Sequence, residues 1–222
     1  MTDPTGRCAR TGTAQGSTVV LVNGLWMPGW VLRFLARRLH RCGYRVRCFT
    51  YRSIACSLEE DAARLHAFVG AEPEQVVHFV GYSLGGIVIR ALFHYYPGQP
   101  AGRIVTLGTP HQGSSAAAGA ARFALGRWLI GKSLPALVSA EARSWPWPAR
   151  ETGVVAGTLN FGAGLLFPGP GGVSDGTVRL AETRLAEAVD VAEFPVTHFG
   201  LLISGAVARA VCRFLETGRF HG

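Results

Sequence analysis

The chain of 222 residues has few of the side chains that build metal sites and disulfide frameworks. It contains only four aspartates, and its five cysteines include no Cys-x-x-Cys pair. We therefore expect no metal site and no cofactor. An odd number of scattered cysteines is typical of free thiols in a reducing compartment, which favours a cytoplasmic protein over a disulfide-linked one.

Long uninterrupted apolar runs are missing as well. The most apolar segment, "FGLLISGAVARAVCRFL", is broken by Arg209 and Arg213, so no bilayer-spanning helix is predicted. Residues 1–17 are polar and contain no apolar core of a signal peptide, which predicts a flexible N-terminal tail. Because 48% of all residues are hydrophobic, we expect residues 18–222 to fold as a single domain.

Lysine is nearly absent, since Lys132 is the one lysine among 22 basic residues, yet the net charge is +8. The arginines are spread along the chain, with small groups at 37–41 and 45–47. This spread favours solvated helix and strand ends over a phosphate-binding surface, so no nucleic-acid partner is predicted. Stable membrane insertion is not expected either, although weak attraction to anionic membrane surfaces stays open. The oligomeric state cannot be read from the sequence.

Strand-like and helix-like patterns alternate about five times. The strand patterns are apolar on both faces, which is typical of a parallel sheet covered by helices. We therefore predict an α/β fold with three layers, in which a mostly parallel central sheet has helices on both faces. Residues 112–150 interrupt the alternation and predict a short cap insertion. The predicted strands are 17–24, 45–51, 75–83, 102–110, 152–160 and 188–196, and the predicted helices are 30–44, 57–70, 84–96 and 199–216.

The segment "VHFVGYSLGGIVIRAL" places Ser83 at a tight corner between an apolar strand and a helix. Its Gly-x-Ser-x-Gly pattern is weak alone, but this strand–turn–helix context is the one that a nucleophile elbow requires. Gly81 and Gly85 would leave room for the neighbouring strand and helix. Ser83 is therefore the candidate nucleophile, and a plain turn residue is the alternative.

A serine nucleophile needs a base and an acid that orients the base. His198 follows the last predicted strand and is the candidate base, with His111 as an alternative. Asp175, in "VSDGTV", is the candidate acid, with Glu182 as a fallback. An Asp-Gly turn with no catalytic role is the structural alternative for Asp175.

The oxyanion of acyl transfer needs two fixed N–H donors. Leu84, directly after the candidate nucleophile, would supply one of them. Leu25, in the "NGLW" loop after the first strand, would supply the other, because Gly24 lets the backbone turn there. A simple strand–helix turn is the alternative interpretation of this loop.

These stretches together resemble the lipase- and esterase-like α/β-hydrolases of bacteria. The matching segments are "VVLVNGLWMPGW", "VHFVGYSLGG", "IVTLGTPHQGS", "SDGTV" and "PVTH", in the order of that family. The resemblance implies a Ser83–His198–Asp175 triad and an oxyanion hole formed by the Leu25 and Leu84 N–H groups. It also implies that residues 112–150 form the cap.

The chain departs from that family at two positions near the candidate site. Asn23 stands before Gly24 where a histidine is usual, and Tyr82 replaces the usual histidine before the nucleophile. We expect the oxyanion hole to survive the first change. Trp26 and Tyr82 are predicted to contact the substrate.

The cap segment is rich in aromatic and aliphatic side chains. An apolar acyl pocket and simple packing of the cap on the sheet are equally good interpretations. The residues concerned are Phe123, Trp128, Leu129, Leu134, Leu137, Trp145 and Trp147.

The expected function is a serine hydrolase that cleaves a small-molecule or lipid-like carboxylic ester with an apolar acyl group. An acyltransferase or a thioesterase would use the same three side chains. A non-catalytic binding protein on the same fold is the rival from another functional class.

Overall fold

The computed structural model describes residues 17–51, 53–71, 76–138, 141–161 and 172–221. The predicted tail lies outside these residues, apart from Ser17, which begins the first strand. The Gly- and Pro-rich segment 162–171 also lies outside them.

A six-stranded sheet with every neighbouring pair parallel forms the centre of the domain, in the order β2-β1-β3-β4-β5-β6. The predicted α/β fold with a parallel sheet is confirmed, and each predicted strand is present, although every one ends earlier than predicted. The strands are β1 (Ser17–Val22), β2 (Arg45–Phe49), β3 (Val76–Tyr82), β4 (Ile104–Leu107), β5 (Thr152–Gly157) and β6 (Asp190–Phe194).

Helices cover both faces of this sheet, as the two-sided apolar strands require. On one face the core includes α1 (Arg33–Arg41) and α9 (Gly205–Thr217), and on the other α2 (Leu58–Gly70) and α3 (Leu84–Tyr95). Helix α2 begins at a capping box, in which Glu60 N–H donates to the Ser57 hydroxyl and Ser57 N–H donates to the Glu60 carboxylate.

The prediction of one continuous last helix at 199–216 is wrong. A short helix α8 (Gly200–Ile203) ends at Ser204, and α9 begins directly after it. Ser204 has an extended backbone and its hydroxyl accepts the Val207 N–H, so it acts as the N-cap that separates the two helices.

The segment between β4 and β5 consists of short helices. They are α4 (Ser115–Ala120), α5 (Ala124–Ile130), α6 (Leu134–Val138) and α7 (Glu141–Ser144). The aromatic side chains of the segment 112–150 divide into two groups. Trp147 is buried and donates to the Thr152 hydroxyl, and Trp145 stacks on His94, whereas Phe123 and Trp128 are exposed.

The expectation that all cysteines are free thiols is wrong. Cys42, at the end of α1, and Cys212, in α9, form a disulfide with a Cα–Cα distance of 6.3 Å. The two helices pack side by side, which brings together cysteines 170 residues apart in sequence. No local spacing could have indicated this pair. Cys48 and Cys56 are free.

Candidate active site

Ser83 occupies a strained corner between β3 and α3. Its φ of 54° and ψ of −122° lie outside the regions that L-residues usually adopt. The glycines on each side are required, because a Cβ on Gly81 would come 2.7 Å from Gly86 Cα and one on Gly85 would come 2.3 Å from Val22 O. The corner is held by a 2.8 Å hydrogen bond from Ser83 N–H to Leu107 O.

Asp175 and His198 form a close pair at the carboxyl edge of the sheet. The Asp175 Oδ2 and His198 Nδ1 atoms are 2.6 Å apart. The backbone N–H of His198 also donates to the backbone carbonyl of Asp175 at 2.7 Å. The buried carboxylate is fixed further, because its Oδ1 accepts the N–H groups of Thr177 and Val178. The aspartate therefore both makes a local turn and holds the imidazole, and the two alternatives for Asp175 are not exclusive.

Two neighbours connect this pair to the serine corner. The Tyr82 ring lies 4.9 Å from the His198 ring, centroid to centroid, and its hydroxyl donates to His198 O at 3.2 Å. A Cβ on Gly108 would lie 3.0 Å from both His198 Cε1 and Asp175 Oδ2. Among the described contacts the Ser83 hydroxyl makes no hydrogen bond to His198. In free enzymes such bonds are often long and shorten when substrate binds.

The loop after β1 lies directly over the serine. A Cβ on Gly24 would lie 3.0 Å from both Ser83 Cβ and Tyr82 Cδ1, so glycine allows this loop to approach the serine closely. Leu84 is the first residue of α3, where backbone N–H groups have no partner within the helix. Within the described part of the chain, neither the Leu25 nor the Leu84 N–H donates a hydrogen bond.

The segment after β2 holds this loop from outside. The Tyr51 hydroxyl donates to Asn23 O at 3.0 Å, and the Trp26 N–H donates to Ser53 Oγ at 3.3 Å. Trp26 itself has a φ of 56°, so the loop is strained next to Leu25. Sequence reasoning missed Tyr51 and Ser53, although the end of a parallel strand at this edge could have indicated them.

The Asn23 side chain, which stands where the resembling family has histidine, closes the same loop. Its Nδ2 donates to Met27 O at 3.0 Å. Its buried Oδ1 has no partner among the described residues. The loop shape therefore persists without a histidine at this position.

The two alternative site residues, His111 and Glu182, have other hydrogen-bond partners. His111 is buried with its Nε2 3.1 Å from Thr106 Oγ1, and burial, reinforced by the Arg90 charge, lowers the pKa of His111 to about 3. The Glu182 carboxylate accepts the N–H groups of Ser115 and Arg179. Both side chains are therefore engaged in structural contacts, and neither hydrogen-bonds to His198 among the described contacts.

A family profile decides what kind of protein carries this geometry. The profile described as "Alpha/beta hydrolase family" matches residues 19–216, nearly the whole chain. The chain belongs to the alpha/beta hydrolase family. No curated protein sequence matches it at a significant level.

Three solved structures are similar to this fold. The metagenomic carboxyl esterase MGS0156 superposes with a TM-score of 0.70 at 20% identity, covering 88% of this chain and 68% of that one. A meta-cleavage product hydrolase from Pseudomonas fluorescens gives 0.62 at 16% identity, covering 91% and 92%. A lipase-esterase related protein from Clostridium acetobutylicum gives 0.56 at 9% identity, covering 91% and 94%.

The two residues predicted to contact the substrate, Trp26 and Tyr82, differ in their exposure. Trp26 is 54% exposed beside Leu25, whereas Tyr82 is buried and its hydroxyl is occupied by His198 O. Burial, together with the Asp175 charge, raises the pKa of Tyr82, so its hydroxyl stays protonated as a donor.

Among the described residues no helix is both long and apolar enough to cross a bilayer.

Proposed function

We propose that this alpha/beta hydrolase cleaves carboxylic esters through an acyl-enzyme on Ser83. The observation that carries the proposal is the Asp175–His198 pair, which lies beside the strained Ser83 corner. A carboxylate that accepts the Nδ1 hydrogen leaves Nε2 as the basic nitrogen, which is the tautomer that a general base requires.

In the first half-reaction, Ser83 Oγ attacks the ester carbonyl while its proton passes to His198 Nε2. The N–H groups of Leu25 and Leu84 stabilise the negative charge on the tetrahedral oxygen. Asp175 stabilises the imidazolium that forms. When the intermediate collapses, the C–O bond to the alcohol breaks and the departing alkoxide takes the proton from His198.

In the second half-reaction, His198 removes a proton from water, which attacks the acyl carbonyl. The carboxylic acid leaves and Ser83 recovers its proton. The apolar side chains near the site, including the exposed rings of Trp26 and Phe199, favour an ester with an apolar acyl group.

The experiment that tests this function is labelling with a fluorophosphonate, which reacts with activated serines. Wild-type protein should be labelled, and Ser83→Ala should not. Ser57→Ala, which alters only the surface cap of α2, serves as the matched control and should label like wild type. Failure of the folded wild-type protein to label would favour the non-catalytic binding protein.

Turnover of p-nitrophenyl esters of increasing chain length then tests the substrate class. We expect kcat/KM to rise from acetate to medium-length acyl groups. If the acyl group is transferred to added alcohol or thiol in preference to water, the enzyme is an acyltransferase and not an ester hydrolase.

A further inference from the structure

The outer surface of α1 and of the turn before it combines exposed aromatic rings with arginines. Trp30 is 58% exposed and Phe34 is 42% exposed, although both are large apolar side chains. Arg33 and Arg37 are also exposed, and the four side chains line one shallow groove. We refer to Trp30, Arg33, Phe34 and Arg37 as the arginine–aromatic face.

Arg33, Phe34 and Arg37 lie on one side of α1, and Trp30 lies in the 3-10 turn directly before it. Positions 30, 33, 34 and 37 follow the i, i+3, i+4, i+7 pattern, whereas the opposite side buries Leu35 and Leu39 in the core. The face is therefore not a remnant of core packing. It is a separate amphipathic surface directed at solvent.

No described residue compensates the charge of this face through an ion pair. Neither Arg33 nor Arg37 forms an ion pair with any of the described residues. The sequence around them is free of acids, since residues 4–58 contain no Asp or Glu. The same stretch contains nine arginines: Arg7, Arg10, Arg33, Arg37, Arg38, Arg41, Arg45, Arg47 and Arg52.

We propose that the arginine–aromatic face docks on the surface of an anionic lipid bilayer. Tryptophan and phenylalanine insert at the level of the lipid headgroups, while arginines beside them pair with anionic phosphates. Arginines without ion-pair partners are complementary in charge to an anionic membrane surface, whereas a neutral membrane surface offers them no such complement. Both features are needed together, and both occur on this face.

Docking in this orientation would bring the candidate active site to the lipid. The face begins four residues after Trp26, in the same connection that carries Leu25, and α1 packs beside α8, which follows His198. Phe199 and Ile203, at the ends of α8, are exposed as well. Docking would determine where the enzyme acts, and it does not require catalysis by Ser83.

Co-sedimentation with vesicles tests the docking directly. Wild type and Ser83→Ala should both bind vesicles of phosphatidylcholine with phosphatidylglycerol, and should bind pure phosphatidylcholine vesicles far more weakly. Arg33→Gln/Arg37→Gln should weaken partitioning to the anionic vesicles by roughly 10- to 30-fold, because each arginine near the surface contributes about a factor of five. Rising salt should weaken wild-type binding through screening.

Two control variants separate this face from general basicity and from other aromatic surfaces. Arg209→Gln/Arg213→Gln removes the same charge from an exposed i, i+4 pair on α9 and should bind nearly like wild type. Phe123→Ala/Trp128→Ala removes exposed rings from the cap and should bind like wild type, whereas Trp30→Ala/Phe34→Ala should lose about tenfold.

Three outcomes would overturn the proposal. Equal loss in both arginine pairs would indicate non-specific attraction by net charge. Loss in the cap variant alone would place the contact elsewhere. Absence of vesicle binding, with a dimer that dissociates in Trp30→Ala/Phe34→Ala, would make the face a contact between two copies of this chain.

Discussion

The hydroxyl of Tyr51 donates a hydrogen bond of 3.0 Å to the backbone carbonyl of Asn23. This contact joins the end of β2 to the loop that carries Leu25. Ser53, in the same segment as Tyr51, accepts a hydrogen bond from the Trp26 N–H. The loop is therefore held near both of its ends. The position of the proposed oxyanion donor therefore depends on two side chains outside the proposed triad.

Removing the Tyr51 hydroxyl tests this dependence. We expect Tyr51→Phe to lower kcat for ester hydrolysis roughly 3- to 10-fold with little change in KM, because a hydrogen bond contributes about 1 kcal/mol and the oxyanion exists only in the transition state. Steady-state kinetics provides the measurement. Tyr96→Phe, which removes a hydroxyl from the end of α3, should leave both constants unchanged. A rise in KM alone would contradict a positioning role.

Gly108 is expected to be intolerant of any side chain. Its φ is +57°, and a Cβ would lie 2.8 Å from Leu201 Cδ1 and 3.0 Å from both His198 and Asp175. We expect Gly108→Ala to separate the acid–base pair and to reduce kcat/KM by at least about 100-fold, since misplacement by about 1 Å has such effects. Gly98→Ala introduces a methyl group into open space and is the matched control. Activity close to wild type in Gly108→Ala would refute the proposed triad geometry.

The Cys42–Cys212 disulfide should contribute to stability because it closes a long loop of the unfolded chain. Reduction, or the Cys42→Ser/Cys212→Ser double variant, is expected to lower the free energy of unfolding by about 2–5 kcal/mol. Thermal unfolding with and without dithiothreitol measures this effect. The double variant should show no further response to the reductant, since Cys48 and Cys56 are not cross-linked. An equal response in both proteins would mean that the reductant acts elsewhere.

Asp61 should make stability depend on pH. It is 2% exposed in α2, and burial raises its pKa from 3.8 to about 7. Between about pH 4 and pH 7 the folded state therefore binds more protons than the unfolded state, so this group makes stability fall as pH rises through that window. Above pH 7 the full penalty is present.

Asp61→Asn removes that penalty. At pH 8 we expect the variant to exceed wild type by on the order of 1–3 kcal/mol in urea unfolding, with no difference near pH 4. Buried His78 and His111 have lowered pKa values and give a slope of opposite sign, but equally in both proteins. Glu59→Gln, at an exposed position in the same helix, should lack the effect. A larger gain at pH 4 than at pH 8 would contradict the assigned sign.

Local patterns in the sequence determined most of the architecture. Two-sided apolar strands and alternating helices specify a covered parallel sheet, because an apolar run must be buried on both faces. The glycines around Ser83 predicted its corner, since only they permit the close backbone approach. Asp175 and His198 could be chosen because strand order places the ends of parallel strands at one edge.

Contacts between distant segments were decided only by the tertiary structure. The Cys42–Cys212 bond depends on two helices packing side by side. Tyr51 and Ser53 support the Leu25 loop because β1 and β2 are neighbouring strands, so these contacts follow from strand pairing. Periodicity indicates which face of a segment is buried. Which other segment that face contacts is determined by the packing of the whole chain.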